Sequence, residues 1–557
     1  MTATDADAAV EAAEADRKVL ASSAVMAAGT IVSRLSGFVR AGLLLAALGT
    51  GVHSDVFSVA NTVPNMLYIL LAGGVFNAVL VPQLVRAMRN DEDAGAAYTS
   101  RIITAALLFL GAVTVVLVLA APAVVTLALS GTVPDAGRES AIALARYCLP
   151  QVFFYGAFVL VGQVLNARGR FGPMMWAPIA NNVVSVAVLA GYLVVYAGEE
   201  PLADGGFTST QELILGVGST LGIVVQLLVL MPYVRAAGIS LRPRIDLRGT
   251  GLGHTLRLGT WTVLFVLANQ IAYFVVVRLG TSGTAAGDEA GTGIFVYSTA
   301  FLIVMVPHSV ITVSLATATL PRLSRLAADG DLDGMGARVA TTLRTALAVV
   351  VPFAALLPLV ATDLAKLIAY GKAADTYENL VPTMMLFGPA VVLFTVHYVV
   401  LRGFYAVERT RTVFLIQVWV AATNIVVAVL LVRATSDAAT APSLVIAYAA
   451  AYLVGSVLSY SVLSRSLGGL RSAQLVRFLV RTAVAIAVAG AAAYGVHLAL
   501  AGPVGDDPSY VGAAVRLVAV GVVDVVVFLV VATLLRLREV TSVIDTVLRR
   551  RPPAHRA

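Results

Sequence analysis

The chain has 557 residues, 59% of them hydrophobic and 12% charged. A soluble domain carries roughly 25% charged residues, so a soluble enzyme or a nucleic-acid-binding module is excluded and a polytopic membrane protein remains. The formal charge of +7 falls in alternate loops, as membrane topology requires, and the single cysteine, Cys148, excludes an intrachain disulfide framework and a cysteine-rich metal site.

Residues 1–19 are acidic and alanine-rich without a signal-peptide core, and read as a short cytoplasmic tail. Beyond them lie about fourteen apolar runs of the roughly 20 residues that cross a bilayer. Their approximate bounds are 20–48, 54–86, 100–130, 140–166, 174–197, 211–235, 256–280, 292–321, 341–370, 379–405, 412–433, 442–464, 474–501 and 509–536. The expected fold is an all-α polytopic membrane protein. Arginines follow the even-numbered spans, at Arg86, Arg168, Arg235, Arg322, Arg409 and Arg465 among others, while several odd connections lack Lys and Arg. The positive-inside rule therefore puts both termini in the cytoplasm.

Arg34 and Arg40 lie within the first span, and Asp55, Asn61, Pro64, Asn65, Gly73, Gly74 and Asn77 interrupt the second. An arginine at mid-membrane costs roughly 2.5 kcal/mol or more, so such a pair faces a wet cavity or a partner. Six residues separate the two, about 9 Å of helix rise and roughly 240° of rotation, so they reach one cavity only at different levels. Such a pair reads as the wall of a polar, cationic cavity; the competing reading is an interhelical ion pair, with Asp55 as partner of one of them. Asp55 itself suits either a helix cap or a gate.

Fragments recur at nearly one offset: VPQLVR at 81–86 and LPRLSR at 320–325, Arg168/Arg170 and Arg409/Arg411, NVVSVAVL from Asn182 and NIVVAVL from Asn424. An offset of six spans makes two parallel repeats about an axis along the membrane normal, the architecture of a transporter with a cavity between two lobes. The expected lobes are 20–238 and 239–467, with two extra helices over 468–536 and a basic tail over 537–557. Pro64 with Gly73–Gly74, and Pro307, break corresponding spans of the two repeats, which points to a transport site there.

Among the remaining polar residues, Asn269 and Gln270 suit either cavity lining or bonds between helices, and Arg278 either snorkels outward or adds cavity charge. Lys366, Lys372 and Arg402 read as interfacial anchors, and His308 and His397, without ligand spacing, as polar packing or cavity lining rather than metal ligands. Arg516 and Asp524, eight apart in the last span, are placed to face the bundle while the valines around them face lipid. No nucleotide-binding or catalytic motif is present, so neither enzyme activity nor a cofactor is expected.

SRLSGFVR (33–40), SDVFSVANTVPN (54–65), LAGGVFNAVLVPQL (71–84), LNARGRFGPMMWAPIANNVV (165–184), LPRLS (320–324) and LRGFYAVERTRT (401–412) resemble the lipid II flippase family (MurJ/MviN) of the multidrug/oligosaccharidyl-lipid/polysaccharide (MOP) exporter superfamily. The resemblance implies fourteen helices, two six-helix lobes around a cationic cavity, and a groove on the last two helices for a polyprenyl tail. It implies a protein that moves undecaprenyl-pyrophosphate-linked peptidoglycan precursor to the outer leaflet of the bacterial cytoplasmic membrane. The family's first-helix arginines match Arg34 and Arg40, and its following acidic position matches Asp55. Several family charges are absent: Ala41, Tyr68, Ile69, Gly73, Leu302 and Met305 stand in their places.

The expected substrate-binding set is Arg34, Arg40, Asp55, Asn65, Asn269, Gln270 and Arg278, with lipid II, membrane lipids and cell-wall synthesis proteins as partners and no metal or nucleic acid. With no ATP site, the membrane potential or a monovalent cation is the expected energy source. The competing functions are an ion-coupled drug antiporter, an exporter of another polyprenyl-linked oligosaccharide, and a non-transporting scaffold for cell-wall synthesis.

Overall fold

The computed structural model describes residues 29, 32–70, 96–170, 172–196, 199, 202, 204–238, 244, 252–285, 290–505 and 508–541. The expected tail over 1–19, Gly73, Gly74, Asn77, the repeat fragment at 81–86 and the basic residues beyond 541 lie outside them.

Most of the described residues are helical, and none of them is in a strand. In chain order the helices are α1 (32–48), α2 (Val52–Ile69), α3 (Ala96–Leu119), α4 (Ala121–Ala128), α5 (Asp135–Cys148), α6 (Gln151–Ala167), α7 (Gly172–Tyr196), α8 (Ser209–Leu228), α9 (Met231–Ala236) and α10 (Leu252–Gly280). There follow α11 (Ile294–Val304), α12 (Val313–Ala328), α13 (Leu332–Ile368), α14 (Val381–Ala406), α15 (Thr410–Ala434), α16 (Thr440–Leu467), α17 (Ser472–Val504) and α18 (Tyr510–Leu534).

Among the described residues, eleven helical stretches are long and apolar enough to cross a membrane, or twelve with α11 and α12 taken as one bent span. The predicted spans 20–48 and 54–86 are described only in part, as α1 and α2, so the count of fourteen is not reached by the described residues. The predicted break at Pro307 is real. Proline has no amide for the Ile303 carbonyl, and α11 gives way to a π-turn over His308–Thr312 before α12 resumes at a bend of 53°. Pro64 lies inside α2 and withdraws the amide that would bond the Ala60 carbonyl.

The chain forms two compact units, one of 1–47, 56–129 and 134–270, the other of 48–55, 130–133 and 271–557. In the first, Leu110, Phe158, Leu165 and Leu230 build a core among α3, α6 and the α8–α9 turn. In the second, α13 is the longest helix at 37 residues. That is about 55 Å, well beyond the roughly 30 Å of hydrocarbon, so its ends stand outside the apolar layer. Pro358 withdraws a partner from the Ala354 carbonyl, and α14 approaches there through Gly388, where a Cβ would stand 2.8 Å from that oxygen.

Candidate functional site

In the first unit, α1 carries both arginines. Asn182 on α7 holds that helix in place, its Nδ2 donating to the Ser33 carbonyl at 3.0 Å and to Ser36 Oγ at 2.9 Å. Asn182 opens one of the two repeat fragments, and its counterpart Asn424 is likewise buried, in α15. Arg34 is exposed and Arg40 half-buried. Arg40 lines a crevice with Phe57, Ser185, Leu215 and Ser219 that has room for about 10 Å³, the scale of a single water. Neither guanidinium has a carboxylate partner among the described residues.

Asn65 is exposed on α2, one turn beyond Asn61, whose Oδ1 accepts from Gln151 Nε2 at 3.3 Å. Gln270 is buried, and its Nε2 donates to the Met66 carbonyl at 2.6 Å, so α10 is pinned against the turn of α2 that contains Pro64. Of the two readings open for Gln270, the bond between helices is the one observed. Asn269 Nδ2 donates to Phe265 O of its own helix at 3.1 Å.

Asp55 and Arg278 are grouped with the second unit. Asp55 is 1% exposed. Its Oδ1 accepts from the Phe295 amide at 2.8 Å and its Oδ2 from Thr284 Oγ1 at 2.7 Å. Gly293, at the N-cap of α11, has no side chain to offer, and its Cα leaves the space the carboxylate fills: a Cβ there would fall on Asp55. Asp55 thus caps α11 from another helix, where the partial positive charge of the helix start favours an anion. Its donors include no arginine. Arg278 is exposed in the last turn of α10, where a cation complements the helix C-terminus.

Lys366 Nζ stands 4.5 Å from the ring centre of Tyr377 and 5.8 Å from that of Tyr510, and the Arg402 guanidinium 4.1 Å from the Tyr398 ring. These are cation–π contacts. His308 Nδ1 pairs with Thr395 Oγ1 at 2.8 Å directly after the Pro307 break, and His397 Nδ1 with Ser459 Oγ at 3.2 Å. Both histidines are buried in polar packing.

The last helix follows the sequence expectation. Arg516 and Asp524 are 4% and 7% exposed, while Val511, Val515, Val518, Val522, Val526 and Val530 are 51–74% exposed on the opposite face. Sequence reasoning missed the partner: Asp363 on α13 receives Arg516 in a two-pronged ion pair. A lone aspartate inside an apolar run was the available signal. Thr284 and Gln151 carry no such signal, because neither is charged.

A family model described as Lipid II flippase MurJ matches residues 44–505. Probable lipid II flippases MurJ of Rhizobium tropici and Vibrio cholerae are 28% and 27% identical to this chain, covering 69% and 71% of it and 70% and 74% of their own lengths. The lipid II flippase MurJ of Burkholderia cenocepacia is 28% identical, over 69% of this chain and 72% of its own. A solved lipid II flippase MurJ in an inward closed conformation superposes with a TM-score of 0.70 at 14% identity, covering 94% of this chain and 99% of that one. An inward-facing multidrug resistance MATE family transporter of the MOP superfamily matches with a TM-score of 0.61 at 17% identity, covering 78% of this chain and 95% of its own. These two likenesses show the fold, and the family match runs from within α1 to just past the end of α17. The chain belongs to the lipid II flippase MurJ family.

Proposed function

We propose that this chain carries lipid II, the undecaprenyl-pyrophosphate-linked peptidoglycan precursor, from the inner to the outer leaflet of the bacterial cytoplasmic membrane by alternating access. One observation supports this beyond family membership: Arg34 and Arg40 share a helix in an apolar chain without a carboxylate partner among the described residues. Two unneutralised guanidiniums there offer planar, multidentate donors to a pyrophosphate.

In this reading Arg34 and Arg40 hold the phosphates. Asn65, Asn269 and Arg278 add donors to the headgroup, while Gln270 and Asp55 position the helices that carry the site. The two repeats, 20–238 and 239–467, act as the lobes, and the polyprenyl tail follows α17 and α18, over 468–536. No catalysis and no cofactor are needed. The membrane potential or a monovalent cation drives the cycle; each elementary charge moved across 100 mV is worth about 2.3 kcal/mol. Both termini are cytoplasmic, and cell-wall synthesis proteins are the expected protein partners.

The test is outer-leaflet lipid II in cells depleted of their own flippase and supplied with this chain bearing Arg34→Ala or Arg40→Ala. Loss of export supports the assignment. Full export with either replaced, at wild-type protein levels, overturns it.

A further inference from the structure

The buried face of α18 consists of Ala513, Arg516, Val520, Asp524, Phe528 and Ala532, at helical spacings of three and four. Along this stripe the two charged residues have opposite fates. Arg516 meets Asp363. Asp524, two turns further on, is 7% exposed and has no hydrogen bond or ion pair among the described residues. One turn to one side, Val520 packs with Val360 of α13 and Ala493 of α17; one turn to the other, Phe528 joins the cluster of Ala485 and Ala489.

The helices packed against α18 bring no countercharge to it. On α13, Asp363 and Lys366 stand toward one end and Arg344 toward the other; on α17, Tyr494 and His497 stand toward one end and Arg481 and Arg477 toward the other. The register set by Asp363 with Arg516 and by Val360 and Ala493 with Val520 keeps all of these but Tyr494 about seven residues or more from the level of Asp524, roughly 10 Å of rise. Tyr494 is nearer in register but exposed. An ionised carboxylate in that seam would stand between apolar clusters with no countercharge at its level, which disfavours the charged form. The neutral acid carries no such penalty.

We propose that Asp524 is a reversible proton-binding site, neutral while α18 is seated on α13 and α17 and ionised when the seam opens to water. Seating of the last helix is then linked to uptake of one proton. Because the seated form holds the proton, raising the pH favours the open form. This linkage does not depend on what the protein transports, and its test needs no substrate.

The full chain in liposomes is treated with dicyclohexylcarbodiimide, which attacks protonated carboxyls in apolar surroundings, and modified sites are mapped by peptide mass spectrometry. Asp524 is expected to label, and Asp363, whose two carboxylate oxygens are both held by Arg516, is not. The label should fall as the pH is raised and should not change with sodium. Absence of label at Asp524 at every pH overturns the proposal, and protection by sodium at fixed pH overturns it in favour of a metal-cation site. In parallel, amide exchange over 510–534 should accelerate with pH, beyond the intrinsic chemical rate, in the wild type and not in Asp524→Asn. Equal acceleration in both also overturns it.

Discussion

Arg516 lays its guanidinium along the carboxylate of Asp363, with Nη2 2.7 Å from Oδ1 and Nε 2.9 Å from Oδ2, and its Nη1 donates to the Gly505 carbonyl at 3.2 Å. The pair joins the last helix to α13 where neither side chain reaches water. Tyr510 strengthens the same end of the joint, donating its hydroxyl to the Ala369 carbonyl at 2.9 Å and stacking on Tyr370 at 5.0 Å.

Removing one member of a buried pair strands the other charge. Asp363→Ala is expected to destabilise the protein by about 3–5 kcal/mol, whereas Asp363→Leu combined with Arg516→Leu costs much less, because the desolvation of both ions is then avoided. Equilibrium unfolding of the purified protein in mixed detergent measures both. A single variant as stable as the wild type would show that the pair is not formed.

Asp55 and Gly293 form one unit at the start of α11. Asp55→Ala leaves the Phe295 amide and the Thr284 hydroxyl without their acceptor, an expected loss of about 1–3 kcal/mol. Gly293→Ala should cost a similar amount by pushing the carboxylate out of its place, although the extended backbone of Gly293 accepts an alanine. The double variant should lose clearly less than the two single losses added together, since both abolish the same contact. Additive losses would separate the two residues.

Gln270→Leu removes the bond to the Met66 carbonyl while keeping bulk in the seam between α10 and α2. Polar bonds between membrane helices are worth about 0.6 kcal/mol on average, up to roughly 1.7. At 2.6 Å and buried, this one belongs toward the upper end. Unfolding in detergent gives the value, and faster amide exchange in the second half of α2 should accompany it.

Lysine at position 34 or 40 keeps the charge and loses the fork. If the arginines hold a pyrophosphate by paired donors, Arg34→Lys and Arg40→Lys each lower outer-leaflet lipid II about tenfold or more, the equivalent of one charge-assisted bond. If they act as field charges alone, lysine supports full export. The depletion assay separates the two.

Much of this molecule is written in local pattern. Apolar runs of membrane length appear as helices at close to their predicted places, because in lipid a backbone has no other way to satisfy its polar groups. The break at Pro307 follows from a missing amide, and the inward face of α18 from the helical spacing of Arg516 and Asp524 against their valines. The two-arginine helix was equally visible, as charge where charge is costly.

Partners were a different matter. Asp55 could be read as a cap or as a gate until its donors, Thr284 and Phe295, were found 229 and 240 residues further along the chain. Gln270 could line a cavity or bond a helix until Met66, 204 residues away, accepted its amide. Asp363 drew no attention until Arg516, 153 residues on, closed over it. The sequence by itself determined the membrane class, the helices, the family and the residues too polar to be idle, since each of these rests on the composition of a single short segment. Which of those residues spend their polarity on the fold, and which are left with it, was decided only by tertiary structure, because a hydrogen bond or an ion pair is satisfied in space by a group whose distance along the chain is not constrained.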